Sequence, residues 1–339
     1  MIEEKGLHRR SMLGIDGALP LFSILSSRAW GAPLEYKFAT GQDPSHPLNM
    51  RIEQANKRIF ERSGGDLKIS LFPANQLGPD TELLSQIRMG SIDFLNISAS
   101  ILSTLIPGFG ITNMGFAFPD YAAVWKTMDG PLGKRLTGQA EKFDLVLIAP
   151  FLDNGFRQIT TSTHPIRSPA DLESVKLRVP PSPTLLSLFK ALGANPTPLN
   201  FNEVYMSLQT RIIDGQENPL AIIATTRLYE VQKYCSMTDH VWDGYCFLAN
   251  GSSWRAIPEK FKDIVKEEYE RAALEERQDV AALNEALKTD LEKKGLVFNT
   301  VDREPFRLRL REQRYYAHWK AKFGERDWQI LEEGTGRLL

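Results

Sequence analysis

Histidine, cysteine and paired carboxylates are the side chains that most often run chemistry at neutral pH, and in this sequence they are dispersed. His8, His46, His164, His240 and His318 never pair at metal-ligand spacing, and an isolated histidine is more often a hydrogen-bonded structural residue than a ligand. Cys235 and Cys246 lack Cys-x-x-Cys spacing; they could pair in an oxidising compartment, but two cysteines make no disulfide framework. The pairs Glu267-Glu268 and Glu275-Glu276 lie on one long charged stretch and read as a solvated helix face. There is no Gly-x-Ser-x-Gly elbow, phosphate loop or His-Glu-x-x-His, and Gly108-Phe109-Gly110 lacks the third glycine of a dinucleotide fingerprint. No catalytic, metal or cofactor motif emerges, and Tyr205, Asp243 and His240 are the loose candidates an enzyme would have to use.

Anion recognition is better represented, in a run from Gly155 to Leu220. It holds Gly155-Phe-Arg157-Gln, Lys176-Leu-Arg178-Val-Pro180, Leu192-Gly-Ala-Asn-Pro-Thr-Pro198, Phe201-Asn-Glu-Val-Tyr205 and Asp214-Gly-Gln-Glu-Asn218-Pro219. A guanidinium is a rigid planar fork that matches a carboxylate bidentately and stays charged in a closed cleft. Alone, an arginine at a strand end is as readily the partner of a structural Asp or Glu.

The elements that must carry these residues follow from periodicity. Residues 34–39 alternate as a strand, 49–62 have helical spacing and stop at Gly64-Gly65, and 67–72 alternate again up to Pro73. A helix over 80–89 halts at Gly90, and 93–97 form a short apolar strand. The order β-α-β-α-β marks an α/β layer with a mostly parallel sheet. A second layer begins past Asn154-Gly155, with strands over 157–161, 174–179 and 195–199 and helices over 185–192 and 201–210. Between Pro258 and Gly295 no glycine or proline intervenes, so a helix of roughly 50 Å should bridge both layers; two helices broken around 277–280 are the alternative.

The chain of 339 residues, 42% hydrophobic and 24% charged with a net charge of −1, suffices for two well-buried domains and shows neither a basic stripe for nucleic acid nor a polybasic membrane patch. His8-Arg9-Arg10-Ser11-Met12-Leu13, the mainly apolar 17–27 and the small residues around Ala29-Trp30-Gly31-Ala32 have the order of an export leader. The adjacent arginines suggest the twin-arginine route, and the cut falls after Gly31 or Ala32. Asp16 interrupts the apolar run, which is short of the ~20 residues that span a bilayer.

Taken in order with Leu71-Phe-Pro-Ala-Asn-Gln-Leu-Gly78 and Gly90-Ser-Ile-Asp-Phe94, the motifs of the 155–220 run resemble the solute-binding proteins of TRAP transporters, the tripartite ATP-independent periplasmic type. The similarity is to the branch of sialic-acid and dicarboxylate binders and covers about 34–323. It implies an α/β, two-lobed periplasmic-binding-protein-like fold with a hinge and a long lobe-bridging helix. Lobe one would comprise 33–154 plus 245–284, and lobe two 155–244 plus 285–339, after a leader over 1–32. The resemblance also implies a monomer without enzymatic activity or cofactor that captures a small organic carboxylate by hinge closure and presents it to TRAP membrane subunits. Arg178 would form the principal salt bridge with the carboxylate, Arg157 would support it, Asn218 would donate a further hydrogen bond, and Phe201 would pack on the ligand.

The sequence departs from the sialic-acid pattern where Pro181 replaces an asparagine and Ser98, with Ser100 close behind, replaces an acid. Trp242 and Tyr245 bring two aromatics where the ligand's far end is expected. A pocket poor in polar partners should reject polyols, so these departures predict a monocarboxylate, such as a 2-oxo or 2-hydroxy acid, with an apolar or aromatic tail. A periplasmic enzyme acting on a carboxylic acid, and a sensor serving a membrane receptor, are the rival readings.

Overall fold

The computed structural model describes residues 32–339; the expected export leader, up to Gly31, and its arginine pair lie outside the described residues. Twelve strands follow in the described chain: β1 (Leu34–Thr40), β2 (Leu67–Phe72), β3 (Phe94–Ser98), β4 (Leu145–Leu147), β5 (Leu152–Phe156), β6 (Gln158–Thr161), β7 (Lys176–Val179), β8 (Asn195–Pro198), β9 (Gly215–Asn218), β10 (Tyr234–Met237), β11 (Trp242–Asn250) and β12 (Val297–Thr300). They form two six-stranded sheets, one ordered β2-β1-β3-β11-β4 with β5 also on β11, the other β12-β10-β6-β9-β7-β8.

In the first sheet β1 runs parallel to both β2 and β3, and parallel neighbours require crossover helices. The helix Pro47–Arg62 buries Leu48, Ile52, Ala55 and Ile59, one helical face, and starts on His46, whose Nδ1 accepts the Leu48 N–H at 3.2 Å. The helix Asp80–Met89 ends on Gly90 at φ 73°, a left-handed cap that glycine adopts without Cβ strain. Phe38, Phe247 and Tyr269 interlock edge to face beneath this sheet, with Phe94 tilted against Phe38, each buried aromatic contributing about 1.5–3 kcal/mol.

The chain crosses between the sheets three times. Between β5 and β6 only Arg157 intervenes, residues 238–241 lead from β10 to β11, and the helix Glu259–Lys293 makes the third passage. That helix runs 35 residues without interruption, so the alternative of a break around 277–280 does not occur. It packs on the helix Pro47–Arg62 of the first lobe and on Leu220–Thr225 of the second before delivering the chain to β12.

Lobe limits differ from those expected in two places. β5 through Phe156 and β11 from Trp242 both belong to the first sheet, so the passages lie at Arg157 and 238–241. The C-terminal segment is shared: helices Glu304–Glu312 and Tyr315–Phe323 pack on Pro183–Ala191, whereas Glu325–Thr335 packs on Tyr121–Met128 and Pro131–Glu141. Cys235 in β10 and Cys246 in β11 are buried, unbonded and on different sheets.

Candidate functional site

The carboxyl ends of β1, β3, β7 and β9 converge on one cavity between the two sheets. Ligands of open α/β sheets bind at such ends, because loops there can vary without disturbing the core. Gln42 follows β1, Asn96 and Ser98 close β3, Arg178 and Pro180 stand at the end of β7, Asn218 ends β9, and Asn154 and Arg157 come from the β5–β6 passage. Asp80 and Phe201 meet across its lip. There, the Thr81 N–H donates to Asn200 Oδ1 at 3.4 Å and Asn200 Nδ2 donates to Thr81 Oγ1 at 3.2 Å, joining lobe to lobe. The cavity volume is about 30 Å³, room for a water or two. A larger surface groove of about 680 Å³, between Pro131–Glu141 and the C-terminal helix, contains none of the sequence-predicted residues.

Arg178 is 1% exposed. Its Nε and Nη2 both donate to the Leu199 carbonyl, at 3.0 and 2.7 Å, which fixes the plane of the fork. Among the described residues it forms no salt bridge, and Nη1 has no protein acceptor. The Phe201 ring centre lies 5.8 Å from the guanidinium carbon. Burial pushes its pKa down to about 10, opposed by the charge of Glu217 and reinforced by that of Arg157, so it remains protonated at neutral pH. A desolvated cation without a paired anion is costly, and a carboxylate placed beside it would supply the missing charge and acceptors.

Arg157 has the opposite environment. Its Nε and Nη2 grip the Glu217 carboxylate, Nη2 also donates to the Glu217 carbonyl at 2.7 Å and to Asn218 Oδ1 at 3.0 Å, and Nη1 donates to Asp243 at 3.1 Å. Asp243 accepts in addition from Ser98, Ser100, Asn113 and Asn154. Burial lowers the His240 pKa, so the neutral ring donates Nε2–H to Glu217 at 3.0 Å while Nδ1 accepts from Thr238 at 2.8 Å. Desolvation raises the Glu217 pKa, but Arg157 and His240 outweigh it and leave the carboxyl below its usual range. The cluster ties the β5–β6 passage to β9 and β11.

The sequence-predicted residues therefore divide. Arg178, Arg157, Asn218, Phe201, Ser98 and Tyr245 all line the cavity. Arg157 and Ser98 spend their hydrogen bonds on the ion cluster, and Asn218 spends its own on Arg157 and on Gln216, at 2.5 Å. Trp242 is a correction: its indole is 1% exposed, donates to Asp153 Oδ1 at 2.8 Å and packs edge-on against Phe118 and Trp125, so it is core. Pro180 lines the wall, with Pro181 half-buried beside it.

Sequence reasoning missed Gln42, Asp80, Asn96 and Asn154, and with them the polarity of the wall. Both amide atoms of Asn96, Oδ1 of Asn154 and Oε1 of Gln42 are buried without a partner among the described residues. Asp80, buried and accepting from Asn75 at 3.1 Å, has its pKa raised chiefly by desolvation, with Asn75 and the charge of Arg178 opposing. The pocket is thus not poor in polar partners. The missed signal was Asn96 itself, one amide inside the otherwise apolar Phe94-Leu-Asn-Ile strand.

The family described as bacterial extracellular solute-binding protein, family 7, matches residues 38–320. The chain is 31% identical over 274 residues to the 2,3-diketo-L-gulonate-binding periplasmic protein of Escherichia coli, covering 80% of this chain and 83% of the relative. Its structure superposes on the sugar acid binding protein of Advenella mimigardefordensis in complex with galactonate with a TM-score of 0.86 at 29% identity, covering 91% of this chain and 99% of the other. It also superposes on a TRAP periplasmic solute binding protein of Sulfurospirillum deleyianum with bound succinate with a TM-score of 0.83 at 27% identity, covering 90% and 99% respectively.

Proposed function

The chain belongs to family 7 of the bacterial extracellular solute-binding proteins, the TRAP type, and from that premise we propose that it captures a small organic acid by a carboxylate on Arg178. In this reading the mature protein works in the periplasm as a monomer, closes its lobes on the acid, and presents the closed form to TRAP membrane subunits without altering the ligand. The observation that carries the reading is the buried, pre-oriented and unpaired guanidinium of Arg178. Galactonate, succinate and 2,3-diketo-L-gulonate, the acids of the three related proteins, fit the same class.

The enzyme reading loses its residues one by one. Tyr205 hydrogen-bonds Glu230 at 2.8 Å and does not line the cavity, His240 is engaged at both ring nitrogens, and Asp243 accepts from five side chains. None is free to take a proton from a substrate. Native mass spectrometry of the exported protein, followed by chemical analysis of the released acid, tests the proposal. The expected result is one unmodified organic acid per chain; an acid converted during incubation, or no stabilisation by any organic acid in a thermal-shift panel, would sink it. N-terminal sequencing of the exported protein tests the leader cut.

A further inference from the structure

Arg178 sits on the second lobe, and the opposing wall belongs to the first. Resting on the carboxylate reading above, we infer that Asn96, with Asn154 and Gln42, forms a hydroxyl-reading wall that selects a hydroxylated monocarboxylate over dicarboxylates and over acids with apolar tails.

Charge gives the first argument. The guanidinium of Arg157 is already matched by Glu217 and Asp243, so among the described residues Arg178 is the one cation of the cavity left for a ligand. Asp80 adds a further carboxylate to the lining. Within the cavity and its buried surroundings carboxylates therefore outnumber guanidiniums before any ligand enters. One ligand carboxylate finds Arg178; a second would be buried beside Asp80 with no free cation, an arrangement that low dielectric penalises.

The unpartnered atoms give the second. Asn96 is 2% exposed and Asn154 3% exposed, and the atoms left without partners are Asn96 Oδ1 and Nδ2, Asn154 Oδ1 and Gln42 Oε1. The Asn154 assignment is set by its Nδ2, which donates to Asp243 at 3.2 Å, and either orientation of the Asn96 amide presents one donor and one acceptor. The amides of Asn96 and Gln42 can turn either atom inward, whereas Asn154 Oδ1 is a fixed acceptor, so the wall asks the ligand for acceptors and, at Asn154, for donors. A carboxylate has no donor, and a methyl or phenyl group would seal the amides away unsatisfied. An ammonium would serve the acceptors but not Asn96 Nδ2. A hydroxyl donates and accepts at once, and adjacent hydroxyls can serve several of these atoms. Ile97, Ile101, Tyr245 and Phe201 supply the apolar surface against which the C–H face of such a molecule packs.

Titration calorimetry with galactonate, glucuronate, erythronate, succinate, alanine, 2-oxoisovalerate and hexanoate tests the assignment. At least one hydroxylated monocarboxylate should bind tighter than succinate, alanine and the apolar acids by a factor of about ten or more, the scale of discrimination by paired hydroxyls. Asn96→Leu should weaken that ligand about 10- to 100-fold while hexanoate binds at least as tightly as before, because the substitution removes the amide an apolar tail would leave unsatisfied. Because the substitution removes two unsatisfied buried atoms, the ligand-free melting temperature should hold or rise; a steep fall would mean that Asn96 is structural and would overturn its role. Gln42→Leu, outside any strand, is the second variant and should shift selectivity in the same direction. Tightest binding of succinate, alanine or an apolar acid overturns the inference while leaving the carboxylate reading intact. No binding by any acid overturns both.

Discussion

Replacing Arg178 with alanine isolates the anchor, because the structure shows what else the side chain does. Its protein partner is the half-buried Leu199 carbonyl, so truncation costs the fold at most one hydrogen-bonding arrangement, about 1 kcal/mol, and also removes an uncompensated buried cation. The binding cost is larger. A guanidinium and a carboxylate in contact attract by about 4 kcal/mol at an effective dielectric near 20, and truncating one partner of a buried pair costs about 2–5 kcal/mol. Affinity should fall about 30- to several-thousand-fold. Arg178→Lys should recover little, since one ammonium cannot both hold Leu199 and present a fork to the ligand. With the Arg178 pKa at about 10, wild-type affinity should stay level from neutral pH and decline as pH rises through that value, where the protonated form that binds the anion is lost. Titration calorimetry, with near-ultraviolet circular dichroism to confirm the fold, reads all of this. An alanine variant that folds and binds within about threefold of wild type, a difference below ~1 kcal/mol, would remove Arg178 from the site.

Closure should be visible in small-angle scattering: the preferred acid lowers the radius of gyration, whereas acetate, which can reach Arg178 but not the opposite wall, does not; equal curves for the two would contradict lobe closure by a bridging ligand. Asp153 has its pKa raised from 3.8 to about 6 by burial, opposed by hydrogen bonds from Trp242 and Tyr121, so the folded state binds the extra proton. The stability this contributes is full below pH ~4 and lost as pH rises through 6. Asp153→Asn, which keeps an acceptor for Trp242, should therefore gain on the order of 3 kcal/mol over wild type at pH 7.5 and little at pH ~4, read by urea denaturation; equal gains at both pH values would refute the burial argument. Trp242→Phe should lower stability by about 1–3 kcal/mol through the stranded Asp153 oxygen and leave the dissociation constant unchanged; a shifted ligand preference would return Trp242 to the pocket.

Local punctuation made much of the fold legible. The helix expected over 80–89 is Asp80–Met89 to the residue, because Gly90 stops it with a positive φ. β5 was hidden because Asp153-Asn154-Gly155 has the composition of a turn. It is a buried strand because Trp242 and Asp243 of β11 satisfy the side chains of Asp153 and Asn154, a long-range arrangement that overrides local propensity. β11 hid its own facing: all nine of its residues are buried, and a strand covered on both sides carries no alternation to tell core from cavity. That is why Trp242 and Tyr245 could not be separated by spacing. Arg178 was legible through its motif, and the neutral wall opposite was not, because an asparagine declares itself only by the absence of partners.

The two arginines divide a task that one could not perform. Arg157 stands where the chain passes between sheets, its backbone N–H bonded to the Val241 carbonyl of the neighbouring passage at 2.8 Å, and its guanidinium joins β9 of the second sheet to β11 of the first. A charge so fully partnered gives little to a ligand, but it pins both passages at one point close to the cavity. In the proposed closure, rotation about that point would move the lip at Thr81 and Asn200 furthest and the floor least, which would keep the site floor intact in open and closed forms. In that reading Arg178, on the second lobe alone, would attract the acid without favouring either form. Of the ligand's contacts, those that reach across to Asn96 and Asn154 would distinguish closed from open, and a ligand shifts such an equilibrium by no more than this difference. On the proposed function, affinity and closure would thus rest on different residues, and a carboxylate common to many metabolites would be held without each of them being presented for transport.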